Sequence, residues 1–328
     1  SLSTMPTIDI HTHMFGDGWL DMIKKHGAPA YEIADMEDRR NYLVEYGTPA
    51  CALEVEAFDY DRRIEMMDRL GIDISIVSLT SPNVHFGDEA VSVATARIAN
   101  DEMAAGQTAH PDRIRWFASL PWEYPDAALA ELERCIALGA VGVMCVAHIG
   151  QRHLIDPLFA PVWEALHKHA FPVLVHPTAP LGAKEVNYGH ERILMPAAGF
   201  MYDTTIALAR MAIDGFFERY SDIKLIASHG GGYLPFVNGR VDMFFGVETL
   251  AKFDVPKLPS DYFSQLYYDA IVYDPAALQL VIDIAGPEKV MFGTDLPMPA
   301  DVPKLYDLVD GRPQSEIAAI RGDNAVRV

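Results

Sequence analysis

Eight short runs rich in Val, Ile and Leu recur along this chain, and almost every gap between them holds a stretch with apolar residues at helical spacing. The runs are 7–13 (TIDIHTH), 74–79, 114–120, 141–149, 172–176 (PVLVH), 223–229 (IKLIASH), 266–272 and 290–295 (VMFGTD). Runs of this length with little polar alternation read as strands buried on both faces, which is the habit of parallel sheets. The helices expected behind them cover 61–70, 88–109, 126–138, 158–169, 204–219, 234–249, 276–285 and 302–321. The third opens just after Pro125, a residue suited to a helix's first turn. Eight strands, each followed by a helix, are what a closed parallel barrel requires, whereas an open doubly wound sheet usually uses fewer. The expected fold is α/β: a (β/α)8 TIM-type barrel.

No internal repeat or low-complexity linker divides the chain, so residues 1–328 are read as a single domain. Two stretches exceed ordinary connections, one between Met14 and Tyr60 after strand one, the other between Pro177 and Asp203 after strand five. Both insertions would lie over the C-terminal face, where barrels of this kind build their sites.

Composition removes several classes of function. Lys and Arg number 26 against 46 Asp and Glu, a formal net charge of −20, so attraction to nucleic acid or to anionic lipid is not expected. No run approaches the ~18 apolar residues of a membrane span, and the opening residues lack the pattern of a signal peptide. The three cysteines, Cys51, Cys135 and Cys145, form no CxxC pair and no even-numbered framework. A cytoplasmic location is expected.

The chemistry gathers at the strand ends. His11 and His13 are two apart, so on a strand they project to the same side, as does Asp9, and two imidazoles can reach one ion. His176, His229 and Asp295 end the fifth, sixth and eighth runs. All of these groups fall at one end of the expected barrel, which marks a metal site by position.

The segments DIHTH, LVHP, ASHGGGYLPF and FGTDLPMP, in this order and spacing, resemble the amidohydrolase superfamily in its decarboxylase and hydratase branch, over about residues 7–324. The resemblance implies that His11, His13, His176 and Asp295 bind one divalent metal, and that His229 acts as acid or base on a water bound to it. Three imidazoles and a carboxylate suit Zn²⁺, with Mn²⁺ the alternative, and leave a position open. Binuclear relatives carry a bridging lysine at the end of strand four; 141–149 (VGVMCVAHI) has none, and its one titratable side chain is His148. A mononuclear site follows. The resemblance also implies a homodimer in which Arg240 reaches the substrate carboxylate of a neighbouring subunit.

Two pocket positions depart from that pattern. Cys51 stands about where a related decarboxylase has a second arginine, and Thr178 stands where an aromatic follows the His-Pro pair. Phe15, Trp19 and His85 are the other candidates to contact substrate, and Tyr233 and Phe236 follow strand six. The expected function is a metal-dependent carbon-carbon lyase that decarboxylates a small unsaturated or aromatic (hydroxy)carboxylic acid. The alternative is a hydrolase or hydratase of a small carboxylate-bearing lactone, amide or alkene.

Overall fold

The computed structural model describes residues 5–35, 41–180, 182, 191–247 and 255–328. Eight parallel strands lie in sequence order around one sheet: β1 (Ile8–His13), β2 (Ile74–Ser78), β3 (Ile114–Ala118), β4 (Gly142–Val146), β5 (Val173–His176), β6 (Leu225–Ala227), β7 (Tyr267–Asp269) and β8 (Val290–Met291). Each falls within one of the eight runs. The barrel closes where Ile10 N donates to Phe292 O at 3.1 Å and Asp295 N donates to His11 O at 2.7 Å. β4 and β5 are buried along their whole length, as strands walled by helices must be.

Helix ends follow local chemistry. Asp59 caps Tyr60–Leu70 by accepting from Asp61 N and Arg62 N, and Gly71, at φ 70°, ends that helix in the left-handed conformation glycine tolerates. Two expected helices are divided. The one expected at 204–219 begins earlier, as Phe200–Ile213, and restarts as Phe216–Arg219 beyond Gly215. The one expected at 302–321 stops at Asp310, where Gly311 and Pro313 interrupt it, and resumes at Gln314. Of the helix expected at 234–249, Leu234–Val247 is described and the last two positions lie outside the described residues.

The first insertion holds structure that the strand-and-helix alternation does not predict. After a helix at Asp17–His26, a three-stranded antiparallel sheet is built from Tyr31–Asp35, Asn41–Glu45 and Thr48–Ala52. It stands over the barrel mouth and brings Glu45 and Cys51 inward, both buried. In the second insertion, 181 and 183–190 lie outside the described residues. Among those described, no helix is long and apolar enough to cross a membrane.

Candidate metal centre and active site

Parity on β1 aims His11 and His13 into the barrel mouth, and β5 ends on His176. Asp295 lies four residues past the end of β8. One ligand atom from each of these four residues falls within 4.8 Å of all the others. The imidazole centroids of His11, His13 and His176 stand 5.0 to 5.1 Å apart, edge to face. His11 Nε2 and His13 Nε2 approach Asp295 Oδ1 at 3.1 and 2.9 Å. His229, two residues beyond β6, brings its Nε2 to 3.2 Å from Asp295 Oδ2.

Hydrogen bonding fixes what these rings present to one another. His13 Nδ1 lies 3.0 Å from Leu79 O and His176 Nδ1 lies 2.7 Å from Pro177 O. A carbonyl oxygen can only accept, so each Nδ1 carries the proton and each neutral ring turns a lone pair out at Nε2. Burial, against the pull of Asp295, lowers the pKa of His13. Burial, reinforced by its imidazole neighbours, holds His176 well below the usual range. The lone pair of His13 therefore faces a carboxylate oxygen, two acceptors at hydrogen-bond distance, which only positive charge between them can reconcile. His11 makes the same demand. Burial disfavours its protonation, but Asp295 and Asp269 outweigh burial and raise its pKa to about 10. A cluster that must hold a proton in this way also fits a cation, and three imidazoles with one carboxylate are the donor set of a transition-metal site.

Asp269, at the end of β7, is the functional carboxylate that the sequence reading passes over. It is fully buried and accepts from His11 Nδ1 at 2.7 Å, His229 N at 2.9 Å, Gly230 N at 3.0 Å and Ile271 N at 3.1 Å. One side chain thus sets the tautomer of a candidate ligand and the backbone that carries His229, the kind of outer partner metal sites rely on. Its partners lie 40 and 258 residues away, so only the YYDA segment could have signalled it. Arg63 is a second residue that no local pattern singles out. It is fully buried and donates to Thr12 Oγ1 at 2.7 Å and to His13 O at 2.5 Å, holding the end of β1. His229 and Asp295 have φ of 52° and 64°, left-handed values that cost a non-glycine residue about 1 to 2 kcal/mol. Strain of this kind gathers where a side chain must be aimed.

The remaining expected residues separate into two groups. Phe15 stacks behind His13 and against Trp19, centroids 6.4 and 5.0 Å away. Trp19 has no exposed surface, and its indole N–H donates to Asn83 O at 2.9 Å, so in this structure both rings pack the wall behind the cluster. Asp9 sits one layer deeper, accepting from Thr294 N and Thr294 Oγ1 at 3.0 and 2.6 Å. His85 and His148, by contrast, line a cleft of about 300 Å³ at the barrel mouth, together with Thr178 and Val146. Arg240 lies on the exposed face of Leu234–Val247, its guanidinium 4.9 Å from the Phe244 ring.

Comparison with known proteins places this geometry. The family model described as "Amidohydrolase" (Amidohydro_2) matches residues 8–328. The 2-amino-3-carboxymuconate-6-semialdehyde decarboxylase of Dictyostelium discoideum is 29% identical over 313 residues, covering 93% of this chain and 84% of that one. The gamma-resorcylate decarboxylase of Polaromonas sp. (strain JS666) is 32% identical over 250 residues, covering 72% of this chain and 76% of its own. Among solved structures, a dihydroxybenzoic acid decarboxylase from Polaromonas sp. JS666, with bound manganese and the inhibitor 2-nitroresorcinol, superposes with a TM-score of 0.82. It is 26% identical and covers 99% of this chain and 96% of that one.

Proposed function

The chain belongs to the amidohydrolase family, and on that premise we propose that it is a metal-dependent lyase that removes CO₂ from a small aromatic or unsaturated hydroxycarboxylic acid. The observation that carries this reading is the convergence of three imidazole lone pairs on one half-buried carboxylate, with His229 beside them. The kinds of acid named in its decarboxylase relatives supply the substrate class.

His11, His13, His176 and Asp295 would hold the ion. When bound it supplies fixed positive charge that orients and polarises the oxygens of the acid, an effect worth several kcal/mol at the transition state. Zinc and manganese both suit this donor set, and the manganese in the Polaromonas structure makes that ion a natural partner in the test. The protein's own contribution centres on His229. Two successive amides, His229 N and Gly230 N, are clamped on Asp269, so the ring is held in place over the cluster. It delivers a proton to the carbon bearing the carboxylate, which becomes tetrahedral. The carbon-carbon bond to the carboxylate then breaks, its electron pair returns to the unsaturated system, and CO₂ leaves. The delivered proton stays as the new C–H bond, and His229 recovers one from solvent.

The whole chain is read as one barrel domain working as a homodimer. Phe236, 84% exposed, together with Met243, Phe244 and Val247, gives the helix Leu234–Val247 an apolar outer face. Exposed apolar surface of that extent marks an interface. A second copy seated there would cover it and bring Arg240 to the partner's site, where a guanidinium can grip a carboxylate bidentately. The three cysteines are free and buried, in keeping with a reducing, cytoplasmic setting.

The reading is tested by incubating metal-loaded protein with hydroxybenzoates and muconate-type acids in D₂O. Release of CO₂ matched by one deuterium on the vacated carbon supports it. Water added to substrate without CO₂ places the chain among the hydratases and hydrolases instead. A His229→Asn variant that binds metal and keeps full activity removes the assigned role.

A further inference from the structure

The cleft beside the metal cluster carries chemistry that the decarboxylation step does not use. Its floor includes Val146, paired directly with His176 across β4 and β5, so the cavity adjoins the candidate metal ligands. Its walls come from separate loops: His85 after β2, His148 after β4, Thr178 after β5, and Tyr31 and Tyr46 from the antiparallel sheet of the first insertion. About 300 Å³ accommodates one substituted ring.

Proton bookkeeping shows what these walls present. Burial pushes the Glu45 carboxyl up to about 7, so above that pH it is ionised and Ser81 Oγ donates to its Oε1 at 2.5 Å, which uses the only Ser81 proton. The hydroxyl of Thr178, 2.5 Å from Ser81 Oγ, must therefore be the donor in that pair. Its own oxygen keeps its lone pairs for a ligand. On the other side, His148 Nδ1 donates to Asp203 Oδ1 at 2.7 Å, and Asp203 Oδ2 accepts from Thr178 N at 3.0 Å. That leaves Nε2 as the His148 ring nitrogen that can meet a ligand in the cleft. His85 completes the set. Both of its ring nitrogens are buried without a hydrogen-bond partner, and burial pushes its pKa down to about 3, so it holds one N–H and one lone pair unused. Buried polar groups left so are costly unless something arrives to pair with them. The described residues lining the cleft include no lysine or arginine, so nothing on these walls would neutralise a second carboxylate.

We propose that Thr178, His148 and His85 form a subsite for a hydroxyl group carried on the substrate ring away from the metal-held carboxylate, with Glu45, Ser81 and Asp203 as positioning residues behind it. A hydroxyl fits because it donates once, to Thr178, and accepts, from His85, while His148 Nε2 can take either role. This rests on the decarboxylase reading for the identity of the ring but not for the hydrogen-bonding pattern. The chain therefore selects ring acids with a distal hydroxyl over those with none and over those with a distal carboxylate.

The test measures binding without turnover, using nitrophenols in which a nitro group replaces the carboxylate and cannot be lost. Metal-loaded protein is titrated calorimetrically with 2-nitrophenol and with its derivatives bearing a second hydroxyl at each remaining ring position. One position is expected to bind about tenfold tighter than 2-nitrophenol, the size of one good hydrogen bond. Thr178→Val and His148→Asn, checked for wild-type metal content, are expected to reduce that gain to less than about threefold. Ser81→Ala reads the same ratio one residue farther from the cleft should Thr178→Val fold poorly. No gain at any position in the wild type, or a gain that survives these variants, overturns the subsite. The two readings fail separately. Hydroxyl selectivity without CO₂ release from any acid leaves the subsite and removes the reaction, while CO₂ release without selectivity removes the subsite alone.

Discussion

Replacing Asp269 by Asn should weaken metal binding although Asp269 is no candidate ligand. The carboxylate accepts four hydrogen bonds, His11 Nδ1 and His229 N on Oδ2, Gly230 N and Ile271 N on Oδ1. An amide of the same shape has one acceptor oxygen and one NH₂. If the NH₂ takes the Oδ1 position it faces two backbone N–H groups, and two buried donors left unpaired cost about 2 to 6 kcal/mol together. If it takes the Oδ2 position, His11 can relieve part of the clash by moving its proton from Nδ1 to Nε2. That turns an N–H towards Asp295 and removes one of the three imidazole lone pairs. The second route is cheaper, so the loss should appear mainly as metal affinity, by about 10- to 100-fold, with a stability loss of about 1 to 3 kcal/mol from the His229 amide. Chelator competition gives the affinity, and urea unfolding with and without metal gives the stability. Affinity within about twofold of wild type, with unchanged stability, would refute the account of Asp269.

Other consequences follow from particular residues. His85 is held neutral down to a pKa of about 3, while an unfolded histidine titrates near 6.5, so below 6.5 the unfolded chain takes up a proton that the native chain refuses. Stability is fully present above pH 6.5 and falls as pH drops towards 3. Between pH 7 and pH 5 the wild type should lose up to about 2 kcal/mol more than His85→Leu, read from urea midpoints; parallel losses would contradict the assigned burial. Phe236→Glu, on the outer apolar face, should shift the protein from dimer to monomer in sedimentation equilibrium, and an unchanged dimer would place the interface elsewhere. Arg240→Ala mixed and reassembled with an inactive His229 variant should recover activity through mixed dimers, and no recovery would argue against an arginine crossing between subunits.

The barrel was legible because each of its strands announces itself locally. VLVH at the end of β5 needs only its own apolar run and the histidine that closes it. His11 and His13 follow from parity along one strand, and His176, His229 and Asp295 from lying at or just beyond strand ends. What remained hidden depends on partners far away in sequence. Asp269 gains its importance from His11, 258 residues distant, and Glu45 from Ser81 and, through it, Thr178. The antiparallel sheet of the first insertion carries a local signal in its turn: Tyr46 and Gly47, at φ 50° and 80°, make the tight connection after the second strand. Trp19 lies beside the site in sequence, yet burial behind Phe15 takes it away from the cleft, which no pattern in the loop indicates.

The central claim is that one divalent ion on His11, His13, His176 and Asp295 enables loss of CO₂. The most direct measurement counts metal equivalents and CO₂ released in the same samples: protein as purified, stripped by chelator, reloaded with zinc or with manganese, and the Asp295→Ala variant. The account predicts about one equivalent per chain and CO₂ equal to the acid consumed, both lost on stripping, both regained on reloading, and both absent in the variant. Two equivalents per chain, or CO₂ release that persists in stripped protein, would contradict it.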